Sequence, residues 1–298
     1  MKNFFLTVAI LFCATANAQN YRDEFLKYHK EKDTLKQIEI LERWEKEKPN
    51  DAELFVSYFN YYFAQAKQEY INFTAEQPQG EALEIVDSLG NMWYLGSQIY
   101  FDEEMFEKGI EKIDEGIKLF PNRLDMRFGK VYTFGQAEDW ERFTEELIKT
   151  IQYSKINNNK WTWTNNKKVD GDGKDFMLSS IQDYQMQLFN TEADSLCKNM
   201  RKIAEEILKF YPNHIQSLSN IAITYFILEK NYDKALEYLF KAEKINAKDA
   251  VVLNNIAYAY RYKGEKQQSI KYYEKVIEYG NERQKESAKY YIKELKGK

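Results

Sequence analysis

One segment of this chain repeats another. The pattern Leu218-x2-Ile221-Ala222-x2-Tyr225 returns 35 residues later as Leu253-x2-Ile256-Ala257-x2-Tyr260. Each copy is followed by a second stretch, Ala235-x3-Leu239-x2-Ala242 and then Ser269-x3-Tyr273-x2-Val276. Steps of three and four residues return to the same side of a helix, so each unit reads as two amphipathic helices. Ala222, Ala257, Ala235, Ala242 and Ser269 are small where the paired helices must approach, because bulk there would hold them apart. Composition agrees with helices: 44% of the residues are hydrophobic and 30% charged, while 12 Gly and 4 Pro among 298 residues are too few for a turn-rich β chain.

The repeat resembles the tetratricopeptide repeat, whose pattern runs W-x2-L-G-x2-Y…A-x3-F…P. Leu218 and Leu253 stand in place of the Trp, Ala222 and Ala257 in place of the Gly, and Ala247 and Asn281 in place of the closing Pro. The resemblance implies an all-α chain, an α-α superhelix (a tetratricopeptide-like solenoid) of about six to seven repeats with one irregular insertion. It also implies a non-catalytic scaffold that binds a peptide or protein partner in the concave groove lined by the first helix of each repeat. In related domains an Asn at the place of Asn220 and Asn255 bonds the backbone of an extended peptide, since an amide both donates and accepts. The groove set is therefore Asn220, Asn254, Asn255, Tyr258, Arg261 and Tyr262. Members that clamp a C-terminal carboxylate need Lys on the groove, and this chain has Gln216, Ser219, Val251 and Asn254 at those places.

Upstream, proline punctuates. Pro49, Pro121 and Pro212 each end a helical run, as in Ile207-Leu208-Lys209-Phe210-Tyr211-Pro212. Pro49 and Pro121 lie 72 residues apart, which reads as two repeats of 36, with first helices opening at Leu54 and near Leu95-Gly96. Phe55, Phe59, Tyr62, Trp93, Tyr100 and Phe101 then fall on N-terminal helices, in the core or along a hydrophobic groove. Pro121 to Pro212 spans 91 residues, 23 more than two repeats of 34. The excess falls at 155–175, where three Asn, Trp161-Thr162-Trp163-Thr164 and Asp170-Gly171-Asp172-Gly173 are not helical.

The first eighteen residues read as an export signal: Lys2, the apolar run Phe4 to Cys13, then Ala16-Asn17-Ala18. Cleavage after Ala18 places the mature protein in the periplasm or at the cell envelope, with a possible envelope complex and no integral membrane span. Phe12 before Cys13 departs from a lipoprotein signal. The chain therefore divides into a signal peptide (1–18), N-terminal repeats (19–154), an insertion (155–175) and C-terminal repeats closed by a polar capping helix (176–298).

Little in the chain points to chemistry. Two His and two Cys leave no material for a zinc site or a Cys-His pair, so no metal, no cofactor and no catalytic residue is expected. Net charge is −4, with no basic footprint for nucleic acid. Glycine-rich phosphate loops are absent. Asp170-x-Asp172-Gly173-x-Asp175 resembles part of a calcium loop, but alignment on its Asp-Gly puts Lys168 and Ser179 where carboxylates belong, so a turn followed by a helix start fits better. His29 and His214 read as surface or capping residues and Cys197 as a buried thiol. Asp33-Thr34-Leu35, Asp87-Ser88-Leu89 and Asp194-Ser195-Leu196 resemble an O-glycosylation signal of secreted bacterial proteins and read better as helix N-caps. The alternative function is glycan or small-ligand binding, in which Trp161 and Trp163, two apart on one strand face, stack on a ligand together with Trp93.

Overall fold

The computed structural model describes residues 20–76 and 82–297. The expected export signal lies outside the described residues. The chain forms two compact units, one holding residues up to Asp139 together with Trp161–Val169, the other holding Trp140–Lys160 and Asp170 onward. These boundaries differ from those read off the sequence, because the insertion joins the N-terminal unit through residues 161–169 while the helix before it does not.

The N-terminal unit begins with helix α1 (residues 20–31) and α2 (Thr34–Glu47), followed by α3 (Ala52–Ala66). Tyr21 and Phe25 of α1 pack with Ile40, Leu41 and Trp44 of α2 and with Leu54 and Tyr58 of α3. Asp33 caps α2 by accepting from the Lys36 amide, as its sequence position suggests. Asp51 caps α3 and also accepts from the Trp44 indole at 3.2 Å, tying the Pro49 turn to the core.

Beyond α3 the structure departs from the helical reading. Strands β1 (Lys67–Thr74), β2 (Ala82–Val86) and β3 (Met92–Phe101) form an antiparallel sheet in the order β1-β3-β2. The helix placed near Leu95-Gly96 is therefore a strand, and Trp93, Tyr100 and Phe101 are strand residues. After the sheet come α4 (Glu103–Leu119) and α5 (Leu124–Gln136). Helices α3 and α4 pack directly on each other: Gly116 sits so close to Phe55 that an added Cβ would fall 2.8 Å from the Phe55 Cβ. The 72 residues between Pro49 and Pro121 thus hold one helix pair whose connection is the sheet, not two repeats. The Asp102 amide donates to the Ala66 carbonyl at 2.9 Å and closes the sheet's base, while the Asp102 carboxylate caps α4. Asp87 organises the β2–β3 turn instead of capping a helix. Its carboxylate accepts from Asn91 and Leu89 amides and from the Trp93 indole, and the side-chain and backbone bonds from Asn91 hold its pKa down at about 2.

Residues 161–169 are fixed to the same unit by buried charge. Strands β4 (Thr162–Trp163) and β5 (Lys167–Lys168) make a short ladder, and the Thr162 amide donates to the Asn122 carbonyl. Arg123, 1% exposed, reaches Glu53 at 2.7 Å, chelates Asp125 through two nitrogens at 2.8 and 2.7 Å and donates to Asn166. The other side of the Glu53 carboxylate pairs with Arg22, and Glu53 Oε1 also accepts from the Asn165 amide. A guanidinium satisfied on several nitrogens is the arrangement in which a buried charge is tolerated.

The C-terminal unit comprises α6 (Trp140–Ile156), α7 (Gly173–Asn190), α8 (Cys197–Phe210), α9 (Ile215–Glu229), α10 (Tyr232–Ile245), α11 (Ala250–Tyr262), α12 (Lys266–Tyr279) and α13 (Glu282–Leu295). From α8 onward each helix packs on the next. The small residues named from the repeat are all at these contacts: Ala222, Ala235, Ala242, Ala257 and Ser269 are fully buried. Ser269 donates to the Ala257 carbonyl at 2.8 Å, a bond possible only where two helices nearly touch. Pro212 sits between the end of α8 and the start of α9, as punctuation requires. Asp194 starts a 3-10 turn leading into α8, and Cys197 is a free, buried thiol whose pKa burial pushes up. The last helix buries only Ala288 fully and rests Tyr291, Ile292 and Leu295 on Tyr273 and Val276, as a solvating cap would.

Candidate functional site

The C-terminal unit carries a cavity of about 640 Å³ between α7, the α8–α9 turn and the start of α9. That size lies in the range of pockets that hold ligands. Lys174, Asp175, Leu178, Ser179, Gln182 and Asp183 line one wall, at alternating steps of one and three that keep them on one face of α7. Asp172 sets the start of that helix by accepting from the Lys174 and Asp175 amides at 2.9 and 3.0 Å, so the acidic insertion ends in a helix cap. Phe210 to His214 and Gln216 line the other wall. Tyr211 is held by hydrogen bonds with Ser154 and Asn159 at 2.7 and 2.8 Å. Asn220 donates to the Gln182 carbonyl oxygen at 2.9 Å and joins α9 to α7 beside the cavity.

Its electrostatics are mildly acidic. Lys174 pairs with Asp175 at 3.1 Å, and that bond raises the lysine's pKa. Asp183 has no salt-bridge partner among the described residues. His214 occupies the N-cap position of α9 and its Nδ1 shares a 2.8 Å hydrogen bond with the Ser217 hydroxyl. Burial pushes the imidazole below its ordinary value of 6.5, against the pull of the Asp175 carboxylate, so it is neutral at pH 7 and leaves one carboxylate uncompensated.

The residues expected to line a groove divide into separate sets. Asn220 is buried and occupied by Gln182. Asn254 is half-buried, and the Asn255 amide nitrogen is buried without a hydrogen-bond partner. Tyr258, Arg261 and Tyr262 do come together, but with one another: the two tyrosine rings are 4.4 Å apart, and the guanidinium lies over Tyr258, Tyr262 and Tyr291, the last at 4.1 Å. Phe226 and Tyr232 extend the stack. Arg261 is thereby engaged as a cation over aromatic faces, which suits a joint between helices.

The tryptophans do not assemble a sugar platform. Trp161 is fully buried, Trp163 is half-buried beside it in sequence, and Trp93 stacks on Phe73 in the sheet with centroids 5.0 Å apart. Sequence reasoning missed most of the cavity. The sequence marks His214 only as a surface or capping residue and gives Gln182 no motif; of the lining residues it places Gln216 on the groove. The cavity depends on α7 lying beside α9, a neighbourhood no local pattern encodes.

A 35-residue period, two helices per unit and fully buried alanines at their closest approach settle the architecture. Helices α9 to α12 have the fold of tetratricopeptide repeats. Among solved structures the chain is similar to YrrB, described as a TPR protein with an unusual peptide-binding site, at 12% identity over 84% of this chain and 97% of that one, with a TM-score of 0.41. A MamA structure aligns at 14% identity over 62% of this chain and 99% of its own, with a TM-score of 0.37. PilF of Pseudomonas aeruginosa aligns at 12% identity over 63% and 78%, with a TM-score of 0.36. No protein-family model and no curated protein matches the sequence. Among the described residues no helix is long and apolar enough to cross a membrane, and no group of three or more His, Cys, Asp or Glu is placed to hold a metal ion.

Proposed function

We propose that the chain is a non-catalytic protein-recognition scaffold whose C-terminal unit binds an extended peptide segment in the cavity between α7 and α9. The observation that carries this is the cavity itself: about 640 Å³, walled by α7 and the α8–α9 turn, and lined by amides, carboxylates and two aromatic rings. Gln182, Asn213 and Gln216 offer donors and acceptors that match a peptide backbone. With Lys174 neutralised by Asp175 and His214 uncharged, Asp183 favours a cationic side chain on the ligand.

A photo-crosslinking residue at Gln216, compared with one at exposed Lys244 on α10, tests the site. Capture of a defined protein from Gln216 and not from Lys244 is the expected result; equal capture from both, or none above background, removes the reading. Export to the envelope is part of the same proposal, supported by Lys2, the apolar run and Ala16-Asn17-Ala18. Fractionation and N-terminal sequencing of the native protein should find it outside the cytoplasm and beginning at Gln19. A cytoplasmic protein beginning at Met1 contradicts it.

A further inference from the structure

The sheet between α3 and α4 has a strongly apolar face, and nothing among the described residues covers its outer part. Register places Ile71, Phe73, Leu83, Ile85, Trp93 and Ile99 on that face, since cross-strand partners share a side: Ile71 opposes Ser97, Phe73 and Leu83 both oppose Leu95, and Ile85 opposes Trp93. Ile71 is 77% exposed, Leu83 68%, Phe73 56% and Ile99 48%. The opposite face is mixed: Gln68, Asn72, Glu84 and Gln98 alternate there with Tyr70, Tyr94, Tyr100, Val86 and Met92, with hydrogen bonds from Tyr70 to Gln68 and from Asn72 to Gln98. The face of Ile71, Phe73, Leu83 and Ile85 is the more aliphatic of the two, and its side chains stand exposed. A contiguous apolar surface of this kind marks an interaction site.

We infer that this face pairs with the same face of a second copy of the chain. Two features favour a copy over another occupant. The face carries two charges, Lys67 and Glu69, of opposite sign, so identical faces meet without net repulsion although the whole chain is acidic. Its size also suits: strands of eight, five and ten residues cover about 360 Å² in projection at about 3.3 Å per residue and 4.8 Å between strands. With side-chain relief, two such faces bury on the order of 1,000 Å² in total, the lower range for a specific interface. Sheets pack face to face about 10 Å apart with side chains interleaved, and the bare row of Ile71, Phe73 and Leu83 supplies the knobs. Lipid is disfavoured by the sign of the surrounding charge, with Glu69, Glu84 and Asp87 near the face and Lys67 alone of the basic residues on β1 to β3.

The test uses two variants of the purified protein that each add one cysteine, Ser97→Cys at the centre of the apolar face and Gln98→Cys one residue on, facing away; native Cys197 is buried. Mild oxidation should give a covalent dimer from Ser97→Cys and at least tenfold less from Gln98→Cys. In sedimentation equilibrium the wild type should form a concentration-dependent dimer in the micromolar range, and Ile71→Lys/Leu83→Lys should remain monomeric with unchanged helical circular dichroism. A monomeric wild type at 100 μM overturns the inference, as does equal crosslinking from both cysteines or a dimer that survives the lysine pair. A wild-type monomer that floats with neutral lipid vesicles, and no longer does so as the lysine pair, assigns the face to lipid and likewise overturns it.

Discussion

The cavity beside α7 and the sheet between α3 and α4 are both openings in a helical framework, but they differ in every property that governs binding. The cavity is concave, lined by Gln182, Asp183, Tyr211 and His214, and carries a carboxylate without a partner. The sheet face is flat, apolar and close to neutral. Charge-based recognition is selective and weakens with salt; apolar association is indifferent to salt or strengthened by it. Two surfaces of such unlike chemistry suit different contacts, and under both proposals each can be removed with the other left intact.

The largest effect comes from damaging the framework of the N-terminal unit. Arg123→Ala leaves the half-buried Asp125 without its cation and buried Glu53 with Arg22 alone, and urea denaturation should show a loss of about 3 kcal/mol. Binding to the cavity, measured well below the unfolding transition, should be unchanged; a matching loss of affinity would break the separation drawn between the surfaces. Next comes the stem under the sheet. Gly116→Ala drives a Cβ to within 2.8 Å of the Phe55 Cβ, and overpacking there should cost about 1–3 kcal/mol, read from the same denaturation curve. By contrast, Ile71→Lys and Leu83→Lys replace exposed residues and should move stability by less than about 0.5 kcal/mol.

Smaller effects sharpen the cavity itself. Asp183→Asn should weaken a lysine-bearing peptide a few fold, in keeping with about 0.2–1 kcal/mol for an exposed ion pair, and should flatten the salt dependence. The smallest is the response to pH. Burial depresses the His214 pKa in the folded chain, so the unfolded chain binds the proton first. The stability this residue contributes is complete above 6.5 and falls as pH drops below it. Protonation also places a cation in the cavity, so affinity for a basic peptide should fall between pH 7.5 and 5, and His214→Gln should remove that component from the titration.

The C-terminal repeats were legible because their closest contacts demand small residues, and Ala222 and Ala257 recur at the interval of the repeat itself. Helix ends at Pro49, Pro121 and Pro212 were legible for a backbone reason, the missing amide and the fixed φ. The sheet was not. Its apolar face alternates Ile71 with Phe73 and Leu83 with Ile85, but Tyr70, Tyr94 and Tyr100 sit on the other face, and aromatic residues on both sides blur a period of two. A connection of 35 residues, 67–101, also happens to match one repeat, so the proline spacing gave no warning. One signal was available. Gly109 and Gly116 of α4 are seven apart, the interval of Ala235 and Ala242, and both lie against α3. The cavity was unreadable for another reason: its walls come from α7 and from a turn over thirty residues later, and the link between them, Asn220 to Gln182, had been assigned to a ligand.

The proposal that the C-terminal unit recognises a peptide is tested most directly by a fluorescence titration. A set of extended heptapeptides, identical but for a central Lys, Ala or Glu, is titrated against the wild type and Asp183→Asn. The structure predicts tightest binding for Lys and weakest for Glu, with the difference between them narrowed in the variant. Glu binding as well as Lys, or an order indifferent to Asp183, would contradict a cavity that selects a basic segment.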